Sequence, residues 1–329
     1  MQLRETVEAI LGKSYTATRA AQSLKLVLRG YGREAPETFR ITNIELTNRC
    51  PFKCVMCVRT AGMTRAQGDM DPELFKRIID EYFQESPDAA RTSELSFTHF
   101  GESLLHEQFE ELIAYAVSKG CSRTLLSINP LMLTDDTADR LLRCGLSRIH
   151  ISLDGHDDAT FEHIRGVRKA YSKSVERLEK FLHKAERLRP NRPLIRLGMI
   201  NFPENAASIE RLKAVWESHP GIDEFWSKQF TVWSGQVESV NRLVDYKPSD
   251  RYVITCSFPW LSMTVLWDGR VVPCCSDHDG IYVYGDLKQS TLSQIWRAEP
   301  ISRLREEFLS GTVTNKLCAN CDYLGKRFD

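Results

Sequence analysis

"ITNIELTNRCPFKCVMCVRTAG" (41–62) holds the two signals on which the fold turns. Residues 41–47 alternate apolar and polar side chains and are rich in Ile and Thr, the pattern of a strand. The loop that follows carries Cys50, Cys54 and Cys57, spaced C-x3-C-x2-C. Soft thiolates select zinc or an iron–sulfur centre. A structural zinc site needs a fourth Cys or His close by, and none lies in the next 40 residues. Three thiolates on a cubane of four irons leave one iron open to a further molecule. Arg49, Lys53 and Arg59 interleave the cysteines, and their positive charge favours thiolates and an anionic cluster.

Outward from this stretch, strand-like runs alternate with amphipathic helical ones. Strands are expected at 41–47, 93–100, 124–129, 148–154, 194–201 and 224–230, and helices at 71–85, 106–119, 134–143, 170–188 and 204–217. Asp71-Pro72 reads as an N-cap and first-turn pair. Six β-α repeats imply a parallel sheet with helices outside, an α/β partial (β/α)6 TIM-like barrel whose ligands collect at the C-terminal strand ends. The cysteine loop follows the first strand and so faces that site.

After residue 231 the rhythm stops. "MTVLWDGRVVPCC" (263–275) reads as a hairpin about Asp268-Gly269, "IYVYGDL" (281–287) as a further strand, and 291–298 and 300–310 as short helices. The expected organisation is an N-terminal helical extension (1–40), the barrel (41–230) and a small cysteine-bearing α+β domain (231–329).

Forty-four Lys and Arg balance 44 Asp and Glu, so nothing global points to nucleic acid or an anionic membrane. No apolar run approaches the ~18 residues of a spanning helix. The N-terminus is too charged for the core of a signal peptide. These features read as a cytoplasmic protein, where a reducing environment favours ligation over disulfides. Seven of the ten cysteines fall into two ligand-like groups. Cys121 and Cys144 read as small buried side chains, and the acidic turn "DHDG" (277–280) as a loop.

C-x3-C-x2-C after the first strand of a partial barrel resembles the radical S-adenosylmethionine (radical SAM) superfamily. That resemblance implies that Cys50, Cys54 and Cys57 hold a 4Fe-4S cluster whose open iron is chelated by S-adenosyl-L-methionine (SAM). Reduction then yields a 5′-deoxyadenosyl radical that abstracts a substrate hydrogen. "HFGESLLH" (99–106) resembles the family's G-G-E-P segment, with Phe100 and Ser103 at the positions of the first Gly and the Pro. It implies that Gly101 and Glu102 meet the methionine ammonium. By the same resemblance Met56 lies near the adenine, Ser127 and Asn129 offer polar groups to SAM, Ser152 faces the ribose and Arg165 reaches the SAM carboxylate. Asp154 reads as shaping a turn.

The second group, Cys256, Cys274, Cys318 and Cys321, is spaced C-x17-C, a long gap, then C-x2-C, a complete set for a cubane. Its hairpin context resembles the SPASM/twitch extensions of radical SAM enzymes. With no further cysteine after Cys321, the twitch version with one auxiliary 4Fe-4S cluster is expected. Cys275 is surplus, and Cys274 and Cys275 could exchange roles.

The resemblance implies an oxidoreductase of dehydrogenase type. A secondary alcohol of a sugar or cyclitol is oxidised to a ketone, and the electron passes to the auxiliary cluster. Lys228, Arg242 and Asp277 are candidates for handling the hydroxyl proton, and Cys275 for returning hydrogen in an epimerase. An external electron donor such as flavodoxin or ferredoxin is implied. A ribosomal-peptide maturase and a zinc-binding scaffold are the other readings.

Overall fold

The structure is a computed structural model that describes residues 26–27, 30–246, 256–319 and 321–322. Most of the expected N-terminal helical extension lies outside the described residues.

Nine strands form one sheet in the order β6-β5-β4-β3-β2-β1-β7-β8-β9. Strands β1 (Arg40–Ile44), β2 (Leu95–Ser96), β3 (Thr124–Ile128), β4 (Arg148–Ser152), β5 (Leu194–Asn201) and β6 (Glu224–Gln229) run parallel. This is the partial barrel that the alternation predicts. β7 (Ser262–Val265) pairs parallel with β1, and β8 (Arg270–Val272) and β9 (Gly285–Asp286) follow antiparallel. The sheet therefore continues across residue 231, where the sequence rhythm stops.

Local chemistry sets the helix ends. Helix α1 (Pro72–Glu85) starts where the Asp71 carboxylate accepts from Leu74 N at 2.9 Å, with Pro72 in the first turn. Its Leu74, Phe75, Ile78, Ile79 and Tyr82 form one buried face, the helical spacing seen in the sequence. Helix α2 (Asp158–Arg165) opens on a capping box between Asp157 and Thr160 and ends at Gly166, whose φ is +70°. An alanine Cβ at Gly166 would stand 2.7 Å from the Lys53 carbonyl oxygen, so the helix end packs directly on the cysteine loop.

Two expected strands are shorter than their sequence pattern. Only Leu95–Ser96 of 93–100 stays in the ladder. Beyond it Ser103 Oγ donates to the Phe97 carbonyl at 2.7 Å, and the chain turns to deliver Gly101 and Glu102 to the top of the sheet. In 281–287 only Gly285–Asp286 pairs, because Asp277 holds the preceding segment by accepting from Ile281 N and Tyr282 N at 2.7 and 2.9 Å. Cys121 and Cys144 are buried just before β3 and β4.

Candidate active site

The cysteine loop is tied down from below. Lys53 N and Val55 N donate to the carbonyls of Arg165 and Ile164, each at 3.0 Å. Cys54 is buried, while Cys50 and Cys57 are half-buried. Met56 packs in a small core with Phe52, Val58 and Phe100. Burial pushes the Cys50 thiol up to about 12 and the Cys57 thiol to about 11. Such thiols ionise only where cationic charge compensates, which iron supplies.

Arg165 lies beside this loop, its Nη1 3.6 Å from Cys54 Sγ. Burial opposes its charge, but Asp154 and the Cys54 sulfur more than offset that and hold it protonated. Asp154 pairs with Arg165 and also accepts from Ile200 N and Asn205 Nδ2, both at 2.8 Å. Its role is thus wider than the turn expected from sequence.

Gly101 sits against the backbone of Thr47 and Asn48, and Glu102 N donates to the Arg49 carbonyl at 2.8 Å. The buried Glu102 carboxylate accepts from Asn129 N at 3.0 Å and is pushed up to about 7 by burial. The neighbouring Asn129 Nδ2 is buried with no partner. A carboxylate lacking a cation and an amide lacking an acceptor suit a zwitterionic amino acid, and the ammonium and carboxylate of SAM fit them. Since the ammonium binds the ionised carboxylate, SAM affinity should fall about tenfold per pH unit below about 7. Calorimetric titration between pH 5.5 and 8 checks this, and a flat profile would remove Glu102 from the ammonium site.

The concave side of the barrel holds an open cavity of about 860 Å³. Strand alternation builds its wall: Ile149 and Ile151 of β4 are fully buried on the helix side, while His150 and Ser152 line the cavity. Thr42, Thr98, Ser127, Trp226, Lys228 and Trp233 line it as well. Parallel strands covered on both faces are ordinarily apolar throughout, so a polar inner face marks a ligand chamber. The strict alternation in "RIHIS" (148–152) carried that signal in the sequence, and His150 could have been found from it.

A second, smaller pocket is lined by Cys256, Cys274, Cys318 and Cys321 among apolar walls that include Phe258, Pro273, Leu304 and Phe308. Burial and the neighbouring thiols push Cys274 and Cys318 well above the ordinary thiol range. The adjacent Cys275 lines the central cavity instead. Trp233 and Ser234 repeat this division, one facing each chamber, on a backbone with φ of +51° and +69°. Among the described residues no group of three or more His, Cys, Asp or Glu could hold a single metal ion.

The remaining candidates separate. Lys228 lines the cavity, with its Nζ 5.7 Å from the centre of the Trp233 ring. Arg242 lies exposed, paired with Glu238 one turn earlier. Asp277 is fully buried and holds the backbone turn described above. Asp279 of the acidic turn accepts from Thr64 N and Arg65 N at 2.7 and 2.8 Å.

Glu45 is a residue that the sequence did not single out. Its buried carboxylate pairs with Arg65 at 2.5 Å, lies 3.3 Å from His99 Nδ1 and accepts from Phe100 N at 3.2 Å. Burial would raise it, but His99 and Arg65 hold it down at about 2. His99 Nε2 in turn meets the Cys275 carbonyl at 3.2 Å. This chain of contacts joins β1, the Glu102 segment and the wall between the chambers.

The chain belongs to the radical SAM superfamily, whose family model matches residues 44–213, and an iron–sulfur cluster-binding SPASM domain matches 256–322. It is 24% identical over 323 residues to a tungsten-containing aldehyde ferredoxin oxidoreductase cofactor-modifying protein of Pyrococcus furiosus, covering 84% of this chain and 86% of that one. In fold it is similar to BtrN, solved with AdoMet and 2-DOIA (TM-score 0.56, 16% identity, 88% and 94% of the chains). It is also similar to SuiB of Streptococcus suis, solved with its precursor peptide SuiA (TM-score 0.61, 12% identity, 88% and 71%). SAM, a SAM-binding 4Fe-4S cluster and an auxiliary cluster are the cofactors these domains imply. Cys50, Cys54 and Cys57 would hold the first cluster, and Cys256, Cys274, Cys318 and Cys321 the second. Among the described residues no helix is long and apolar enough to cross a membrane.

Proposed function

We propose that this radical SAM enzyme oxidises a secondary alcohol of a small polyol, a sugar or cyclitol, to a ketone. The observation that carries the reading is the thin partition between the two chambers. Cys274 and Cys275, and likewise Ser234 and Trp233, each send one side chain to the auxiliary pocket and its neighbour to the polar cavity. An electron leaving a substrate radical in the cavity then has one residue of backbone to cross.

The cofactors supply a 5′-deoxyadenosyl radical, initiated by an external one-electron donor such as flavodoxin or ferredoxin. For the alcohol to become C=O, the carbinol C–H hydrogen, the hydroxyl proton and one electron must leave; bound SAM and the auxiliary cluster would supply the hydrogen and electron acceptors, and water reaching the open cavity would take the proton. Thr42 and Thr98, whose hydroxyls donate to the carbonyls of Met263 and Ser127, leave oxygen lone pairs for a polyol, and Trp226 and Trp233 offer apolar faces. Lys228 can only donate, so its place is a hydrogen bond to the reacting oxygen. Arg242 and Asp277 do not line the cavity and carry no part of this reading.

A second reading, epimerisation, is favoured by one observation: Cys275 lines the cavity, where its thiol could return a hydrogen atom. Anaerobically reconstituted enzyme, SAM, a reductant and a panel of cyclitols in deuterated water separate the two. Ketone formation that survives Cys275→Ser supports oxidation. Deuterium at carbon with inverted configuration, no ketone and loss of both in the Cys275 variant would establish epimerisation instead. A colourless protein loaded with zinc would sink both.

A further inference from the structure

The chain has no net charge, but its central cavity does. The charged residues lining it are Arg40, Arg123, Lys228 and Glu94. Glu94 is engaged by Arg148 at 2.7 Å, and Arg196, on the same strand face as the cavity-lining Gly198, is paired with Glu224 at 2.5 Å. Arg40 and Arg123, at the N-terminal end of the strands, have no ion pair among the described residues. Two forked guanidinium groups, both exposed, therefore stand without an ion-pair partner where the cavity opens at the N-terminal end of its strands.

The middle of the chamber adds a second, independent sign. His150 Nε2 is buried in the wall with no hydrogen-bond partner. Its ring packs 5.7 Å from that of Trp226, over which Arg196 lies at 5.1 Å. Burial, then Arg196 and Arg148, lower His150 to about 4 and keep it neutral, as expected in a cationic field. The orphaned nitrogen and the indole face suit a ring that carries hydroxyls. From Arg148 at the floor to Ser152 at the rim, four residues of β4 rise about 13 Å. That length takes a sugar-sized ring with a charged substituent at one end.

We propose that the substrate carries an anionic group, a phosphate ester or a carboxylate, held by Arg40 and Arg123 at the floor of the barrel. Its ring lies against Trp226 and His150, and its reacting alcohol reaches the rim beside Ser152 and Lys228. This inference rests on reading the cavity as the substrate chamber. A cationic amino sugar would meet net repulsion along the whole chamber, whereas an anion is drawn down it.

The test is equilibrium binding to reconstituted full-length enzyme, with no reductant, by calorimetry. The probes are myo-inositol 1-phosphate, glucuronate and neutral myo-inositol. At least one anion should bind ten-fold or more tighter than myo-inositol, and the ranking of the two anions tells phosphate from carboxylate. The double variant Arg40→Ala/Arg123→Ala should bring the anions down to the neutral level, and Arg40→Lys/Arg123→Lys should restore part of the difference. Iron content and circular dichroism verify that the variants are folded and loaded. Anions binding no tighter than myo-inositol, or binding the double alanine variant as well as the parent, would overturn the proposal. Turnover is read separately, so arginine-dependent anion binding without any ketone would keep the anion site and remove the oxidation reading.

Discussion

Cys54→Ala should abolish formation of 5′-deoxyadenosine from SAM and lower the iron content from about eight to about four atoms per chain. Cys54 is the buried member of its loop, clamped on both sides by the backbone bonds of Lys53 and Val55 to the end of α2. Its sulfur also faces Arg165. A cluster that keeps one iron open for SAM has only three protein ligands, so loss of one leaves two. No other cysteine could substitute from within the loop, because Cys50 and Cys57 would already serve. The activity should fall at least a hundredfold, to the background of dithionite-reduced buffer. The auxiliary cluster should persist, seen as residual brown absorbance. Retention of full SAM cleavage by the variant would contradict the assignment, as would loss of all iron.

Gly101→Ala is expected to be nearly as damaging by a steric route. The new methyl would stand 2.0 Å from the Thr47 carbonyl oxygen and 2.9 Å from the Asn48 Cα. Both belong to the backbone that connects β1 to Cys50, and neither can swing aside as a side chain could. Glu102 N is also bonded to the Arg49 carbonyl, so the two segments cannot separate without breaking that bond. Overpacking of this kind costs about 3 kcal/mol. It also displaces Glu102 from the ammonium site, so SAM affinity should fall at least tenfold. Thermal melting and calorimetric titration with SAM read the two effects. A variant with the parent's melting temperature and affinity would show that the contact can relax.

Much of the barrel was legible because its signals are local. Strand-like runs set between amphipathic helical stretches marked β1 and β3 to β6, and Asp71-Pro72 marked the start of α1 at the residue where the structure has it. The ladder at 93–100 is shorter than the pattern of "SELSFTHF" because alternation of apolar and polar residues does not reveal where the ladder releases the chain. The catalytic candidates Arg242 and Asp277 were chosen for chemistry alone. Whether such a side chain faces a cavity, an ion-pair partner or a backbone turn depends on residues far away in sequence. Glu45 and His99 were passed over for the same reason: their partners Arg65, Phe100 and the Cys275 carbonyl come from three different segments.

By itself the sequence determined the cysteine spacing, the order of strands and helices, and the Gly101-Glu102 pair, each written within about a dozen neighbouring residues. Only the tertiary structure decided that the second cysteine group lies beside the central cavity. β7 pairs with β1 across more than two hundred residues, Arg40 opposite Ser262, and no local propensity specifies a partner at that distance. The same pairing places the Cys274–Cys275 peptide as a wall between the auxiliary pocket and the central cavity. The polar face of the strands was present in the sequence as alternation. Curvature of the sheet into a partial barrel made it an inner wall, because only then do residues from all six parallel strands line one space.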